Sequence, residues 1–160
     1  MKTNPANKKK ILILSYSFSG QTNCILRSVS KAFEDAKITV VKEKISPTPQ
    51  LRFPLASYAA CVKMMLSTFI RQRIPIEPLS KCINDSFDLI ILAGPTWSYN
   101  PSGPVLSLID RDGPTLFKGQ TVLPLISCRG YWRLHWLGLR RLLQNCGATV
   151  PNCMVFSHPN

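Results

Sequence analysis

The chain has 160 residues, 45% of them hydrophobic, which is enough for one domain with its own core. No apolar run approaches the ~20 residues that cross a bilayer, and the lysines at 2, 8, 9 and 10 precede a run too short for a signal peptide. A cytoplasmic protein without a transmembrane segment is therefore expected. Lys and Arg outnumber Asp and Glu by 20 to 8, a formal charge of +12. All eight acids lie at or before Asp112, and the remainder carries Lys118, Arg129, Arg133, Arg140 and Arg141. Such a field either attracts polyanions, anionic cofactors, acidic partner proteins or an anionic membrane surface, or is a solvated basic face. The six cysteines (24, 61, 82, 128, 146 and 153) show no CxxC and no metal-ligand spacing. They read as buried free thiols, and no metal site is expected.

Residues 1–10 read as a flexible basic tail, and 11–160 as a single domain. Ile11 to Leu14 are four apolar residues in a row, the mark of a strand buried on both faces. A loop of hydroxyls around one glycine follows, Ser15 to Thr22. From Thr22 the period becomes helical, with Ile25, Leu26, Val29, Ala32 and Phe33 on one face. A buried strand turning through hydroxyls into a helix is a device for holding phosphate: the helix start offers unpaired N–H groups and partial positive charge, and Gly20 permits close approach. Neither GxxxxGK[ST] nor GxGxxG is present, so the usual nucleotide fingerprints do not apply.

Ile38 to Val41 read as a short strand, followed by a connection through Ser46–Gln50 and Pro54. Leu55 to Arg73 read as a helix whose Tyr58, Val62, Met65, Leu66, Phe69 and Ile70 share one face, expected to join the core. The Pro-punctuated run to Asp85 reads as irregular. Phe87 to Ala93 form a second buried strand, leading into the loop Gly94 to Pro104 and a short helix over Val105–Ile109. Thr121 to Ile126 are a further strand, ending in Ser127–Trp132. Arg133 to Cys146 read as a helix closed by Gly147, and Ala148 to Phe156 as a last strand interrupted by Pro151. His135 and His158 have no Ser or Asp pattern beside them, and GxSxG is absent, which sets a hydrolase triad aside.

Strands alternating with helices predict an α/β fold of three layers around a parallel sheet, with ligands beyond the carboxyl ends of the strands. The loops at those ends are the three most unusual stretches of the chain. Ser17-Phe18-Ser19-Gly20-Gln21-Thr22 resembles the FMN-phosphate loop of the flavodoxin superfamily, and Gly94-Pro95-Thr96-Trp97-Ser98-Tyr99 resembles that superfamily's loop after strand three. The resemblance implies a doubly wound five-stranded sheet of order 2-1-3-4-5 and FMN as cofactor. Phosphate would sit on Ser17, Phe18, Ser19, Gly20, Gln21 and Thr22. The flavin ring would meet Pro95, Thr96, Trp97, Ser98, Tyr99 and Asn100, with Trp97 as the main aromatic contact, and Cys128, Arg129, Gly130 and Tyr131 on a third loop.

The implied function is an NAD(P)H-dependent oxidoreductase acting on a quinone-like or other small acceptor. Its alternatives are a flavodoxin-type electron carrier with an acidic redox partner, and a binding module with weak or lost FMN. No catalytic side chain is implied, because the flavin does the chemistry. No specific nucleic-acid partner is expected. Two departures stand out: flavodoxins are acidic whereas this chain is basic, and only residues 157–160 follow the last strand, where the superfamily has a final helix. The uncovered sheet face is expected to be closed by a homodimer.

Overall fold

The computed structural model describes residues 9–80 and 85–158. Lys10–Ser15 form β1, Gln21–Asp35 α1, Thr39–Lys44 β2 and Tyr58–Phe69 α2. Leu89–Trp97 form β3, Asn100–Pro101 β4, Gly103–Leu116 α3, Val122–Cys128 β5, Trp132–Asn145 α4 and Met154–Ser157 β6. The strands run parallel in the order β2-β1-β3-β5-β6, and β4 folds back antiparallel on β3. With that small flange set aside, this is the doubly wound order expected. The register places Ile11 beside Val40 and Leu89, and Ile91 beside Leu123.

Strand residues alternate between two separate cores. Leu12, Leu14, Ile90, Leu92 and Val122 pack against Val105, Leu108 and Ile109 of α3 and Leu139 and Leu143 of α4. Ile11, Ile13, Ile91, Ala93 and Leu125 lie under Leu26, Val29 and Phe33 of α1. On that second side, towards β5 and β6, Leu123 and Met154 are half-buried and Phe156 is exposed.

Several expectations need correction. Of the segment read as a tail, residues 1–8 lie outside the described part. Lys10 opens β1, and the Lys9 carbonyl accepts a hydrogen bond from Thr39. The second strand runs on to Lys44, because its pairing with β1 carries the charged residues along. The third helix spans Gly103–Leu116 rather than Val105–Ile109. Gly113 and Pro114 lie inside it, and Gly113 lets the helix meet α4: a Cβ there would lie 2.8 Å from the Cys146 sulfur. Of the described cysteines only Cys128 is buried; Cys24 is exposed, Cys61, Cys146 and Cys153 are half-buried, and Cys82 lies outside the described residues.

The largest correction concerns α2. It is shorter than expected, begins at Ser57, whose hydroxyl accepts from the Ala60 amide, and faces the other way. Tyr58, Val62, Met65, Leu66, Phe69 and Ile70 are all exposed, while Ala60, Cys61, Met64, Ser67 and Thr68 turn inward. Among the described residues α2 contributes none to either core.

Candidate functional site

Three loops meet at the carboxyl edge of the sheet. After β1 the chain passes Tyr16, whose ring is buried edge-on against Trp97, and Phe18, which meets both Trp97 and Phe53. Gly20 then starts α1 with φ 88°, a left-handed conformation that glycine adopts freely. No side chain caps α1, its first turn holds no acid, and its first backbone bond is Cys24 N–H to the Gly20 carbonyl. The amides of Gln21, Thr22 and Asn23 are thus the free donors of a helix start.

Ser17 Oγ is buried with no hydrogen-bond partner among the described residues. Ser19 and Gln21 are exposed, and Thr22 is buried against the loop's inner side. A cavity of about 170 Å³ lies between α1, β1 and β2, lined by Ser15, Asn23, Arg27, Ser30 and Lys42 among others and by none of Ser17–Thr22. A Cβ added to Gly20 would meet nothing within 4 Å, so the approach over the loop is open.

The second loop is tighter than the sequence implied. β3 continues through Gly94, Pro95 and Thr96 to Trp97, and pairs Thr96 with Pro101 and Trp97 with Asn100. The turn is only Ser98-Tyr99, both at positive φ (43° and 68°), the signature of a primed hairpin turn. That ladder engages backbone groups of Trp97 and Asn100 that were expected to face a ligand, and leaves Ser98 and Tyr99 at the tip. Trp97 is only 8% exposed, inside the core with Tyr16 and Phe18. It packs beneath the loop, and Tyr99 is the exposed aromatic at the tip.

On the third loop, Cys128 is buried at the end of β5, Arg129 is exposed, and Gly130 (φ 144°) turns the chain into Tyr131. Tyr131 has φ 55° and is 77% exposed. Its ring lies 5.2 Å from that of Tyr99, edge to face, so two exposed aromatics from different loops form one pair. Both carry left-handed backbone, a strain that bulky residues rarely bear and that clusters at ligand sites.

Behind these loops stand groups that no spacing announced. His135 of α4 is buried, with Nδ1 2.7 Å from Thr96 Oγ1. Burial lowers its pKa from 6.5 to about 3, with the Arg71 cation adding to the effect, so the ring is neutral. Thr68 Oγ1 donates to Ser98 Oγ at 2.8 Å, and Asn100 Nδ2 donates to the Thr68 carbonyl at 3.2 Å, which ties α2 to the second loop. Ser127 Oγ lies 2.8 Å from His158 Nε2. Burial also holds the Tyr16 phenol well above its usual range, in its neutral form. Among the described residues no cluster of His, Cys, Asp and Glu fits a metal ion.

No protein-family model matches the sequence, and no curated protein matches it. Solved structures do. The flavoprotein from Lactobacillus acidophilus NCFM in complex with FMN superposes with TM-score 0.70 at 17% identity, covering 92% of this chain and 93% of that one. Two-electron reduced Megasphaera elsdenii flavodoxin gives 0.54 at 18% identity, over 91% and 84%. A WrbA-like flavodoxin from Agrobacterium tumefaciens gives 0.55 at 12%, over 92% and 83%. The fold is flavodoxin-like.

Proposed function

We propose that this flavodoxin-like chain binds FMN across its three carboxyl-edge loops, and that it acts as an NAD(P)H-dependent oxidoreductase on a quinone-like or other small acceptor. The observation that carries the reading is the uncapped, acid-free start of α1, with the partnerless Ser17 hydroxyl beside it. A phosphate dianion suits both: the amides of Gln21 and Thr22 and the hydroxyls of Ser17 and Ser19 supply donors, and the helix terminus adds ~0.3–2 kcal/mol. Tyr99 and Tyr131 supply exposed aromatic rings on the same edge, and a ring face is what an isoalloxazine needs to stack on. The similar Lactobacillus acidophilus flavoprotein, described with FMN, supports the choice of ligand.

Hydride and electron transfer are the chemistry that FMN supplies when bound. The chain's own part is positional. Neutral His135 holds Thr96 without bringing a second charge to the ring edge, and Trp97 and Tyr16 stiffen the hairpin from below. Arg129 is exposed at the third loop and adds positive potential for an anionic nucleotide donor. Part of the same proposal is a homodimer through the α1 side of β5 and β6, where Leu123, Met154 and Phe156 are incompletely covered; sedimentation at dilute concentration and high salt reads it.

The test is titration of purified protein with FMN, followed by its fluorescence, and then steady-state oxidation of NADH and NADPH with a soluble quinone. Saturable quenching with turnover supports the full reading. Quenching without turnover removes the enzyme and leaves a carrier. No quenching removes the cofactor.

A further inference from the structure

Helix α2 is inside out. Its exposed apolar side chains form one stripe at positions 58, 62, 65, 66, 69 and 70, with Phe69 66% and Ile70 75% exposed, while Ala60, Cys61, Met64, Ser67 and Thr68 face the protein. This orientation is held by specific bonds rather than left to chance. Thr68 bonds Ser98, Asn100 bonds the Thr68 carbonyl, and Ser98 Oγ donates to the Met65 carbonyl at 3.4 Å. Rotating the helix to bury its stripe would break all three.

The stripe has a neighbour. Arg71, just past α2, reaches α4 at Gly138, and α4 exposes Leu134 and Leu137 between Arg133, Arg140 and Arg141. Arg133 and Arg140 lie over the Trp132 and Trp136 rings. No acid occurs from Lys44 to Ile76 or after Asp112, so neither helix carries a carboxylate. An exposed apolar stripe flanked by cations, with aromatic rings at the boundary, is the composition of a surface that lies in the headgroup layer of a membrane.

We propose that the α2–α4 face docks the protein on an anionic lipid bilayer. The apolar stripe enters the acyl boundary, and Lys63, Arg133, Arg140 and Arg141 meet the lipid phosphates. A second copy of the chain fits poorly, because two carboxylate-free basic faces would be pressed together. A nucleic acid fits poorly too, since its phosphate backbone gives Leu66, Phe69 and Ile70 nothing apolar to bury against. No helix among the described residues is long and apolar enough to cross a membrane, so the mode is lying on the surface. The face borders Tyr99 and Tyr131, but the docking does not depend on any ligand there.

The test is flotation of the purified chain with phosphatidylcholine vesicles and with vesicles also containing phosphatidylglycerol, comparing wild type with L66S/F69S and with R140Q/R141Q. All four substituted side chains are exposed or flank the stripe outside the cores, and circular dichroism verifies that the variants fold. The expected result is binding to the anionic vesicles, a partition coefficient lower by ~tenfold or more in L66S/F69S, and a loss in R140Q/R141Q seen on anionic lipid alone. Wild type that stays in the soluble fraction with both vesicles overturns the proposal and points to an acidic protein as occupant. Undiminished binding by L66S/F69S overturns it as well, because the cations alone would then account for the attraction. The assay needs no flavin, so its failure is distinct from failure of the FMN reading.

Discussion

Replacing His135 by Gln should flatten the acid sensitivity of the fold. The imidazole is buried on α4 against Thr96, and its pKa falls from 6.5 to about 3 through burial, with the Arg71 cation adding to it. The folded state therefore keeps the ring neutral, whereas the unfolded chain takes up a proton below pH 6.5. Stability is full above 6.5 and is lost as pH falls towards 3. Each pH unit in that window is worth up to ~1.4 kcal/mol, so the drop from about pH 7.5 to about pH 5.5 is ~1.4 kcal/mol from this one group. Gln can keep a hydrogen bond to Thr96 but cannot titrate. Urea unfolding at the two pH values measures the difference directly. Wild type should lose ~1.4 kcal/mol more than His135→Gln over that interval, although the variant starts lower. Equal losses in both proteins would refute the reasoning, since the proton would then be taken up elsewhere.

Trp97→Ala and Tyr131→Ala should separate support from contact: the first removes a core ring and costs ~3–5 kcal/mol in denaturant unfolding, while the second leaves stability within ~0.5 kcal/mol and weakens FMN in a fluorescence titration. Gly20→Ala meets no neighbour but must adopt φ near 88°, so stability should fall by ~1 kcal/mol. Replacing Gly20 by Val, whose side chain also projects over the open approach, should cost FMN affinity more than Thr22→Ser, which keeps a hydroxyl; equal affinities would remove this loop from the site. Gly103→Ala would bring a Cβ to 2.7 Å from the Gln72 carbonyl and from Ile74, and should lower the thermal midpoint by an amount corresponding to ~1–3 kcal/mol.

Local pattern was enough for the central architecture. Ile11 to Leu14 and Leu89 to Ala93 are apolar on both sides because both sides are covered, and that alone distinguishes a central parallel strand from an edge one. The Ser17–Thr22 loop was legible for a related reason: strand, glycine and helix start are contiguous in sequence, so the donors that converge there are set by neighbours in the chain. What sequence could not decide was every feature resting on partners far apart. The spacing of α2 is that of a core helix, yet it is Ser98 and Asn100, some thirty positions on in the chain, that turn Thr68 inward and the apolar stripe out. Trp97 reads as a loop aromatic until the β3–β4 pairing draws it under Tyr16 and Phe18, leaving Tyr99 and Tyr131 to meet across two loops. His135 carries no local signal, and its neutrality comes from desolvation in an interior assembled by α4, β3 and Arg71. Periodicity fixes which residues share a face; which way that face points is decided by hydrogen bonds and burial that exist only once distant segments have packed.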